Sequence, residues 1–439
     1  MNTLKYASLL FAILWLFSSC VEKKQLPSDA FYMPAEYEEH AAVWLGWSEY
    51  DPYIAPFLDI TRSLFDKVPL KVITYSEEAL ISLKDTLNQI GLDTSRISYH
   101  IMADNRIWMR DHGATYLVNE VGEKRVVDFN WSMYGMPGVL DDLFEGNQDS
   151  ITSLLEEMAS QAGIIDSLMG ASEGLPPIKT DVIMEGGSIE VNGEGTLILC
   201  EDVTFQRNPD LSRSYIESEF KRVLGVSNII WMKSGLVEDA LHFAEIIDGY
   251  YGYGTFGHTD EFVRFANDST ILLAWVEEEE RASHPINELN YQRMSENLQI
   301  LEKAKDQDGK AFTIIKVPLP DLMYMETTVA KDGRSVNWKD RSEWQIPAGW
   351  IPKHGVLTPG QPIKWVSASS YMNYLVTNGA VLLPTYVAEE GASEEKEEKV
   401  KAIFSQVFPD RELIFLDVMK LNYHGGGIHC VTQQEPVSP

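Results

Sequence analysis

The sequence predicts an α/β protein, and two observations support this class. Short apolar, β-rich runs alternate with helical patterns along the whole chain, which is the rhythm of proteins that mix strands with helices. Of the 439 residues, 44% are hydrophobic and 23% are charged, a balance typical of a folded chain with a sizeable core.

The clearest predicted elements lie towards the two ends of the chain. Residues 69–75 (PLKVITY) are predicted to form a strand, Ser76 to cap a helix, and ISYHIM from residue 97 to form the next strand. Farther along, Ser393 is the predicted cap of another helix, and ELIFLDV (412–418) the strand after it. The acidic run EEKEEK (394–399) on that helix is predicted to be solvated surface.

The first twenty residues, MNTLKYASLLFAILWLFSSC, predict export. Lys5 precedes an apolar run from Tyr6 to Phe17 that is short for a membrane span, and small residues lead to Cys20. The LFSSC ending resembles a bacterial lipoprotein signal, which would leave Cys20 lipid-modified. An uncleaved anchor is the alternative. We therefore expect a signal peptide over 1–20, a tether over 21–30 and a periplasmic or cell-envelope lipoprotein.

The charge balance restricts the class of partner. With 36 basic and 66 acidic residues the formal net charge is -30. Phosphate binding depends on clustered Lys and Arg, so this charge argues against a nucleic-acid partner. A cationic substrate would be attracted.

The remaining two cysteines have different surroundings. Cys200 lies in TLILCEDV, where a free cysteine is expected to be a small buried hydrophobe. Cys430 follows three adjacent glycines in LNYHGGGIHC. Each glycine costs about 0.5 to 1 kcal/mol of backbone entropy relative to alanine, so the run predicts a close approach to this backbone. A disulfide between the two cysteines is an alternative in an oxidising compartment.

Two further stretches carry candidate residues that also have ordinary structural explanations. NRIWMRDHG holds Trp108, Arg110 and Asp111 after a predicted strand, and the last two could be a surface ion pair. MEGGSIEVNGEGTLI places Glu185 at the entrance of a predicted hairpin.

YGTFGHTDEF and SASSYMNYLV supply three more polar candidates. His258 and Asp260 are spaced i and i+2, so in a strand they would face the same side, where they could transfer protons. A satisfied histidine at a strand end is the alternative, and Asn373 on its own reads as a turn or edge residue.

The spacing of possible ligands argues against two other site classes. His258, Asp260, Glu261 and Glu185 could bind a metal, but neither HExxH nor paired CxxC is present, so we expect no metal. A papain-like protease carries its cysteine early, whereas Cys430 comes last here.

Six motifs in one order resemble the agmatine deiminases and the related bacterial peptidylarginine deiminase. They are MPAEYEEHAAVWLGW (33–47), WMRD (108–111), EGGS (185–188), GHTD (257–260), SYMNY (370–374) and GGGIHCVTQQ (425–434). The resemblance covers residues 31–436. It implies the guanidine-modifying (pentein) superfamily and a single domain folded as a five-bladed α/β propeller of ββαβ units with pseudo-fivefold symmetry.

The resemblance also implies a hydrolytic reaction at a guanidino carbon. Cys430 would be the nucleophile, His258 would move protons, and Asp111 and Asp260 would hold the cationic group. Glu185 would orient His258. Supporting roles at the substrate fall to Asn373 near the nucleophile, Trp108 beside the aliphatic part and Gly427 in the loop. Water is the co-substrate and no cofactor is expected.

Agmatine is the expected substrate, converted to N-carbamoylputrescine and ammonia for putrescine biosynthesis. Agmatine deiminases commonly read DTDGH before the histidine, whereas this chain reads GTFGH with Gly254 and Phe256 in place of acids. With the export signal, this keeps an exported peptidylarginine deiminase that produces citrulline as the alternative. A surface-anchored binding protein without activity is the remote one.

Overall fold

The structure is a computed structural model that describes residues 27–104, 106–135, 163–329, 345–346, 360–389 and 391–439. The predicted signal peptide with Cys20, and the tether as far as residue 26, lie outside the described residues. None of the described helices is long and apolar enough to cross a membrane.

Five sheets in the described residues share one strand pattern. A strand pairs antiparallel with the next, which pairs parallel with a third beyond a helix. Four of these sheets consist of Thr115–Val118, Lys124–Asp128 and Pro177–Lys179; of Glu190–Val191, Thr196–Cys200 and Asn228–Met232; of Val263–Asn267, Thr270–Trp275 and Thr313–Pro318; and of Leu375–Thr377, Ala380–Thr385 and Glu412–Asp417.

The fifth sheet joins the two ends of the described chain. Thr432–Pro436 pairs antiparallel with His40–Gly46, which is followed in parallel by Leu70–Thr74 and Ile97–Ile101. A sixth sheet has a different pattern, and its strands come from before and after the segment Val263–Pro318 in the sequence. Its order is His242–Ile247, Tyr250–Gly254, Pro362–Val366, Tyr324–Val329 and Gln345–Ile346.

Helices occupy the connections that lead to the parallel strands of the five similar sheets. They are Asp51–Leu64, Glu77–Gln89, Ile165–Ser172, Glu201–Arg207, Arg213–Leu224, Glu278–Arg281, Pro285–Lys303 and Glu394–Val407. Short helices at Met109–His112 and Met419–Asn422, and 3-10 turns at Thr94–Arg96, Gly186–Ser188 and Thr259–Glu261, lie in loops.

The predicted helix caps are confirmed. Ser76 Oγ accepts the Ala79 amide at 3.1 Å, and Ser393 Oγ accepts the Lys396 amide at 3.2 Å. The prediction that EEKEEK is entirely solvated is wrong at Lys396, which is 7% exposed and pairs with Asp321 at 2.9 Å. Its neighbours in the run include exposed glutamates, so the face is only partly solvent-facing.

The largest apolar cluster lies around the Val263–Pro318 and Leu375–Asp417 sheets and includes Phe262, Leu272 and Tyr374. The predicted α/β class is confirmed by this mixture of sheets and helices. Closure of the five similar sheets into a propeller, and the single domain over 31–436, stay predictions.

Candidate active site

Five predicted site residues occupy the same place in five sheets, namely the loop just before the first strand. They are Asp111 before Thr115–Val118, Glu185 before Glu190–Val191, Asp260 before Val263–Asn267, Asn373 before Leu375–Thr377 and Cys430 before Thr432–Pro436. Equivalent loops of the similar sheets thus bring together residues that are distant in the sequence.

His258 and Asp260 do not lie in a strand, contrary to the prediction. The strand ends at Gly254, Phe256 and Gly257 have φ of 75° and 105°, and a 3-10 turn covers Thr259–Glu261. Both side chains nevertheless face the same space. A Cβ built on Gly187 would lie 2.5 Å from His258 Nδ1 and 3.0 Å from Asp260 Oδ2.

His258 is held between two carboxylates. Its Nε2 lies 3.3 Å from Glu185 Oε2 and its Nδ1 lies 3.5 Å from Asp111 Oδ1. Burial alone would lower the pKa of His258, but the nearby carboxylates outweigh it and raise the pKa to about 9. The imidazole is therefore protonated at neutral pH and can act as an acid.

Glu185 owes its charge to a fully buried arginine. Arg207 Nε lies 2.9 and 3.1 Å from the two carboxylate oxygens. Burial would raise the pKa of Glu185, yet Arg207 and His258 lower it to about 2. Glu185 therefore stays ionised and favours the protonated state of His258.

Asp111 lies in the short helix Met109–His112, where Tyr134 Oη donates to its Oδ2 at 2.9 Å. Burial, opposed by His258 and assisted by Asp260 and Glu185, raises the pKa of Asp111 to about 7. The alternative of a surface ion pair with Arg110 is wrong. Arg110 is 3% exposed, and its Nη2 lies 3.4 Å from Glu36 Oε2.

The sulfur of Cys430 lies among three polar side chains. Asn373 Nδ2 is 3.0 Å away, and Asp260 Oδ2 and Glu261 Oε1 are each 3.8 Å away. Burial and the carboxylates of Asp260, Glu261 and Asp111 hold the pKa of Cys430 well above its usual range. The resting group is a thiol that a bound cation would help to ionise.

Two buried polar atoms that face this space, Asp111 Oδ1 and His258 Nδ1, have no hydrogen-bond partner among the described residues. Asp260 faces the space with Oδ2, and its Oδ1 is buried and also has no partner among those residues. Unpaired buried carboxylate oxygens are costly unless a ligand satisfies them. The space at Gly187 is lined by Asp111, His258 and Asp260 together. This arrangement suits a planar cation with several N–H donors.

The three glycines before Cys430 each have a close neighbour, as the sequence suggested. A Cβ on Gly425 would lie 2.9 Å from the carbonyl oxygen of Tyr253, and one on Gly427 would lie 2.7 Å from Asn373 Oδ1. A Cβ on Gly426 would lie 2.8 Å from the Trp108 ring and 2.9 Å from Cys430 Sγ. Trp108, which is partly buried, therefore lies beside Cys430, and its role in lining the substrate stays a prediction.

The disulfide alternative is excluded, because Cys200 and Cys430 are both free thiols. Cys200 is buried, as predicted, and burial raises its pKa to about 12. Asp260, Glu261 and Cys430 present ligand atoms within 4.8 Å of one another, a spacing that a cation could bridge. The expectation that the site works without metal stays a prediction.

Sequence reasoning missed the residues that support the predicted ones. Arg207 pairs with Glu185, Glu261 lies by the thiol, and His429 Nδ1 lies 2.7 Å from Asp260 Oδ2. The Glu36 carboxylate contacts the other ring nitrogen of His429, Nε2. Glu36 and His429 fall inside two of the six motifs, so position within those motifs was the available signal. Arg207 and Glu261 fall outside all six, and Glu261 was considered only as a possible metal ligand.

Comparison with known proteins gives relatives over almost the whole chain. The agmatine deiminase of Pseudomonas fluorescens is 28% identical over 420 residues, covering 93% of this chain and 96% of that protein. Among solved structures, the agmatine deiminase of Enterococcus faecalis has a TM-score of 0.71 at 24% identity, covering 94% of this chain and 97% of that one. The substrate-bound agmatine deiminase of C. jejuni has a TM-score of 0.62 at 19% identity, covering 92% and 96%.

These two structures, at such identities, establish the shared fold. The sequence model of one family, the Porphyromonas-type peptidyl-arginine deiminases, matches residues 32–436. This range contains every predicted site residue except Cys20. The chain therefore belongs to the Porphyromonas-type peptidyl-arginine deiminase family.

Proposed function

We propose that this protein hydrolyses a guanidino group through a covalent intermediate on Cys430, and that its substrate is agmatine. The products would be N-carbamoylputrescine and ammonia, and the reaction would serve putrescine biosynthesis. The observation that carries the proposal is that Asp111, His258 and Asp260 line one space beside the thiol, and each has a buried polar atom without a hydrogen-bond partner among the described residues. The similarity to agmatine deiminases over 93% of the chain favours agmatine.

In the first half-reaction a guanidinium binds between Asp111 and Asp260, which accept its N–H groups. Its positive charge offsets the carboxylates that keep Cys430 protonated, so the thiol loses its proton to water as the substrate binds, and the thiolate attacks the central carbon. His258 gives its proton to the departing nitrogen, the C–N bond breaks, and ammonia leaves. A thiouronium remains on the sulfur.

In the second half-reaction water replaces ammonia. His258, now neutral, accepts a proton from the water as its oxygen attacks the thiouronium carbon. The C–S bond then breaks, the electron pair returns to Cys430 with the hydroxyl proton of the adduct, and the ureido product leaves. Glu185, held by Arg207, keeps the imidazole oriented through both steps.

Peptidyl-arginine is the second candidate substrate. Gly254 and Phe256 replace the acids expected beside a polyamine tail, and the carboxylate nearest to Gly254, that of Asp239, accepts backbone amides. The name of the matching family points the same way.

A substrate panel tests these proposals. The mature protein is incubated with agmatine, free arginine and an arginine-containing peptide, and ammonia and the ureido product are measured. We expect release from agmatine and none from Cys430→Ala. Citrulline in the peptide without N-carbamoylputrescine would favour the second substrate. No release from any of the three would favour an inactive binding protein, and activity in Cys430→Ala would exclude the covalent route.

We further propose that the five similar sheets close into a five-bladed α/β propeller within one domain over residues 31–436. The support is the repeated pattern of strands and helices and the identical placement of five site residues. A crystal structure of the mature protein tests this. Sheets that fail to surround one central site would contradict it.

The N-terminal sequence supports a third proposal, that the protein is an exported lipoprotein anchored through Cys20. Metabolic labelling with palmitate and membrane fractionation test it. Label and membrane association should both be lost in Cys20→Ala. Wild-type protein that carries no label but remains membrane-bound would instead indicate an uncleaved anchor.

A further inference from the structure

The N-terminal motif MPAEYEEH brings a glutamate to the back of the site. The Glu36 side chain is 9% exposed, and its Oε2 lies 2.9 Å from Arg264 Nη2 and 3.4 Å from Arg110 Nη2. The same oxygen lies 2.5 Å from Nε2 of His429. Arg264 also pairs with Glu190 at 2.8 Å. Glu36 is thus fixed by two buried guanidinium groups.

His429 bridges Glu36 and the predicted substrate ligand Asp260. Its second ring nitrogen, Nδ1, lies 2.7 Å from Asp260 Oδ2. A neutral imidazole has only one N–H, and an ionised carboxylate only accepts. Both contacts are hydrogen bonds only when the three groups together carry two protons. This row of Glu36, His429 and Asp260 therefore holds the Asp260 carboxylate through a charge-assisted bond. Arg110 and Arg264 offset the negative charge of Glu36 at the far end of the row.

The bridge fixes the oxygen of Asp260 that faces the site. His429 holds Oδ2, which lies 3.8 Å from Cys430 Sγ and 3.0 Å from a Cβ built on Gly187, whereas Oδ1 is buried and has no hydrogen-bond partner among the described residues. His429 also precedes Cys430 in the chain, and its amide donates to Asn373 Oδ1 at 2.8 Å. One residue thus sets both the orientation of the carboxylate and the position of the nucleophile loop.

We propose that His429, with Glu36 behind it, is a positioning residue that aims Asp260 at the cationic group of the substrate. This inference rests on the proposed function, since it takes Asp260 to be a ligand for that cation. Neither residue touches the substrate. Loss of either would let the Asp260 carboxylate rotate, and the oxygen that faces the pocket would no longer be fixed.

Two thiol reagents test the proposal without turnover. 2-Chloroacetamidine carries an amidinium that needs the carboxylate pocket, whereas iodoacetamide is neutral and reports the thiol alone. Rates of Cys430 alkylation are measured by mass spectrometry for the wild-type protein, His429→Gln and Glu36→Gln. We expect 2-chloroacetamidine to slow roughly 10- to 100-fold in both variants, the range for a misplaced group, while iodoacetamide changes less than about twofold.

A second buried histidine, which contacts the backbone of Glu36 and not its carboxylate, provides the matched control. His40 is 2% exposed, as is His429, and its ring nitrogens lie 3.1 Å from Thr377 Oγ1 and 2.8 Å from the Glu36 carbonyl oxygen. His40→Gln should leave the ratio of the two rates unchanged. If substrates are available, KM should rise more than kcat falls in His429→Gln.

Several outcomes would overturn the proposal. Equal slowing of both reagents would show general damage to the loop, and an unchanged ratio in Glu36→Gln would show that the row does not aim Asp260. Should His429→Gln fail to fold, as judged by thermal unfolding, Glu36→Gln decides. Because neither reagent requires hydrolysis, an absence of deiminase activity would be seen separately in the substrate panel.

Discussion

The Asn373 side chain contacts both the sulfur of Cys430 and the backbone of the loop that carries it. Its Nδ2 lies 3.0 Å from Cys430 Sγ and 2.7 Å from Glu261 Oε1, while its Oδ1 accepts the amide of His429 at 2.8 Å. One side-chain amide therefore supplies a donor to the sulfur and an acceptor to the loop backbone. This relationship makes Asn373 more than the turn or edge residue that its local sequence indicated.

Asn373→Asp is expected to slow alkylation of Cys430. The change removes the N–H donor that faces the sulfur and adds a negative charge there, so the thiol pKa should rise further. Each unit of that rise lowers the thiolate fraction about tenfold below the pKa. The iodoacetamide rate at pH 8.5 measures this. A rate equal to that of the wild-type protein would contradict the contact between the amide and the sulfur.

The His258 pKa predicts a pH-dependent contribution to stability. The folded value is about 9, above the unfolded value near 6.5, so the contribution is complete below pH 6.5 and is lost as pH rises through 9. It should reach ~3 kcal/mol at its full extent, from the size of the shift. The measurement is urea unfolding of wild-type protein and His258→Asn between pH 6 and pH 9.5.

The difference in free energy of unfolding between these two proteins should shrink with rising pH. The wild-type protein loses the pairing of imidazolium with Glu185 and Asp111, whereas the variant never had it. A difference that stays constant, or that grows towards alkaline pH, would show that His258 is not held as a cation in the folded protein.

Gly187→Ala should block the site and leave the fold largely intact. Its φ lies outside the left-handed region, and the added Cβ would meet side-chain atoms of His258, Asp111 and Asp260 at 2.5 to 3.0 Å. These are the atoms that surround the proposed guanidinium site. We expect kcat/KM to fall at least about 100-fold, the effect of a misplacement near 1 Å.

The neighbouring glycine separates a site effect from a fold effect. A Cβ on Gly186 would lie 2.2 Å from the Arg110 carbonyl oxygen, which belongs to the backbone. Gly186→Ala should therefore lower the unfolding temperature much more than Gly187→Ala does. If the two variants unfold at comparable temperatures and Gly187→Ala keeps full activity, the proposed guanidinium site does not lie at Gly187.

The sequence predicts the reactive groups better than their supports. Cys430, Asp111 and Glu185 fall in short motifs whose order is visible in the chain. The pairing of Glu36 with His429 joins opposite ends of the sequence through the sheet that contains His40–Gly46 and Thr432–Pro436. No local spacing encodes such a contact, because only the folded sheet creates it.

The backbone before His258 shows a different limit. The spacing of His258 and Asp260 predicts a shared face only if they lie in a strand, where residues i and i+2 point to the same side. The chain leaves the strand because Phe256 and Gly257 adopt positive φ, which a regular strand does not accommodate. Phenylalanine gives no local warning of that conformation, so the shared facing of His258 and Asp260 was predicted for the wrong reason.

Gly254 stands where the resemblance to agmatine deiminases predicts an acid, and Asp239 explains why a side chain is absent. A Cβ at Gly254 would lie 2.1 Å from Asp239 Oδ1 and 2.8 Å from Asp239 Cα. The Asp239 carboxylate accepts the amides of Gly257 at 2.6 Å and His258 at 3.1 Å. A carboxylate from a neighbouring loop thus takes the space of an aspartate at 254.

Gly254→Asp alone should destabilise the protein by ~3 kcal/mol, near the upper range for overpacking, because the Asp239 backbone cannot yield as a side chain would. Adding Asp239→Gly removes the clash with the carboxylate and leaves the contact with the Cα at 2.8 Å, and an aspartate at 254 can then accept amides of the same loop. The two changes should therefore couple favourably by ~1 to 3 kcal/mol. Urea unfolding of both single variants and the double variant measures the coupling, and KM for agmatine reports any new contact with the substrate tail. Additive losses in the double variant would show that the two positions do not share one space.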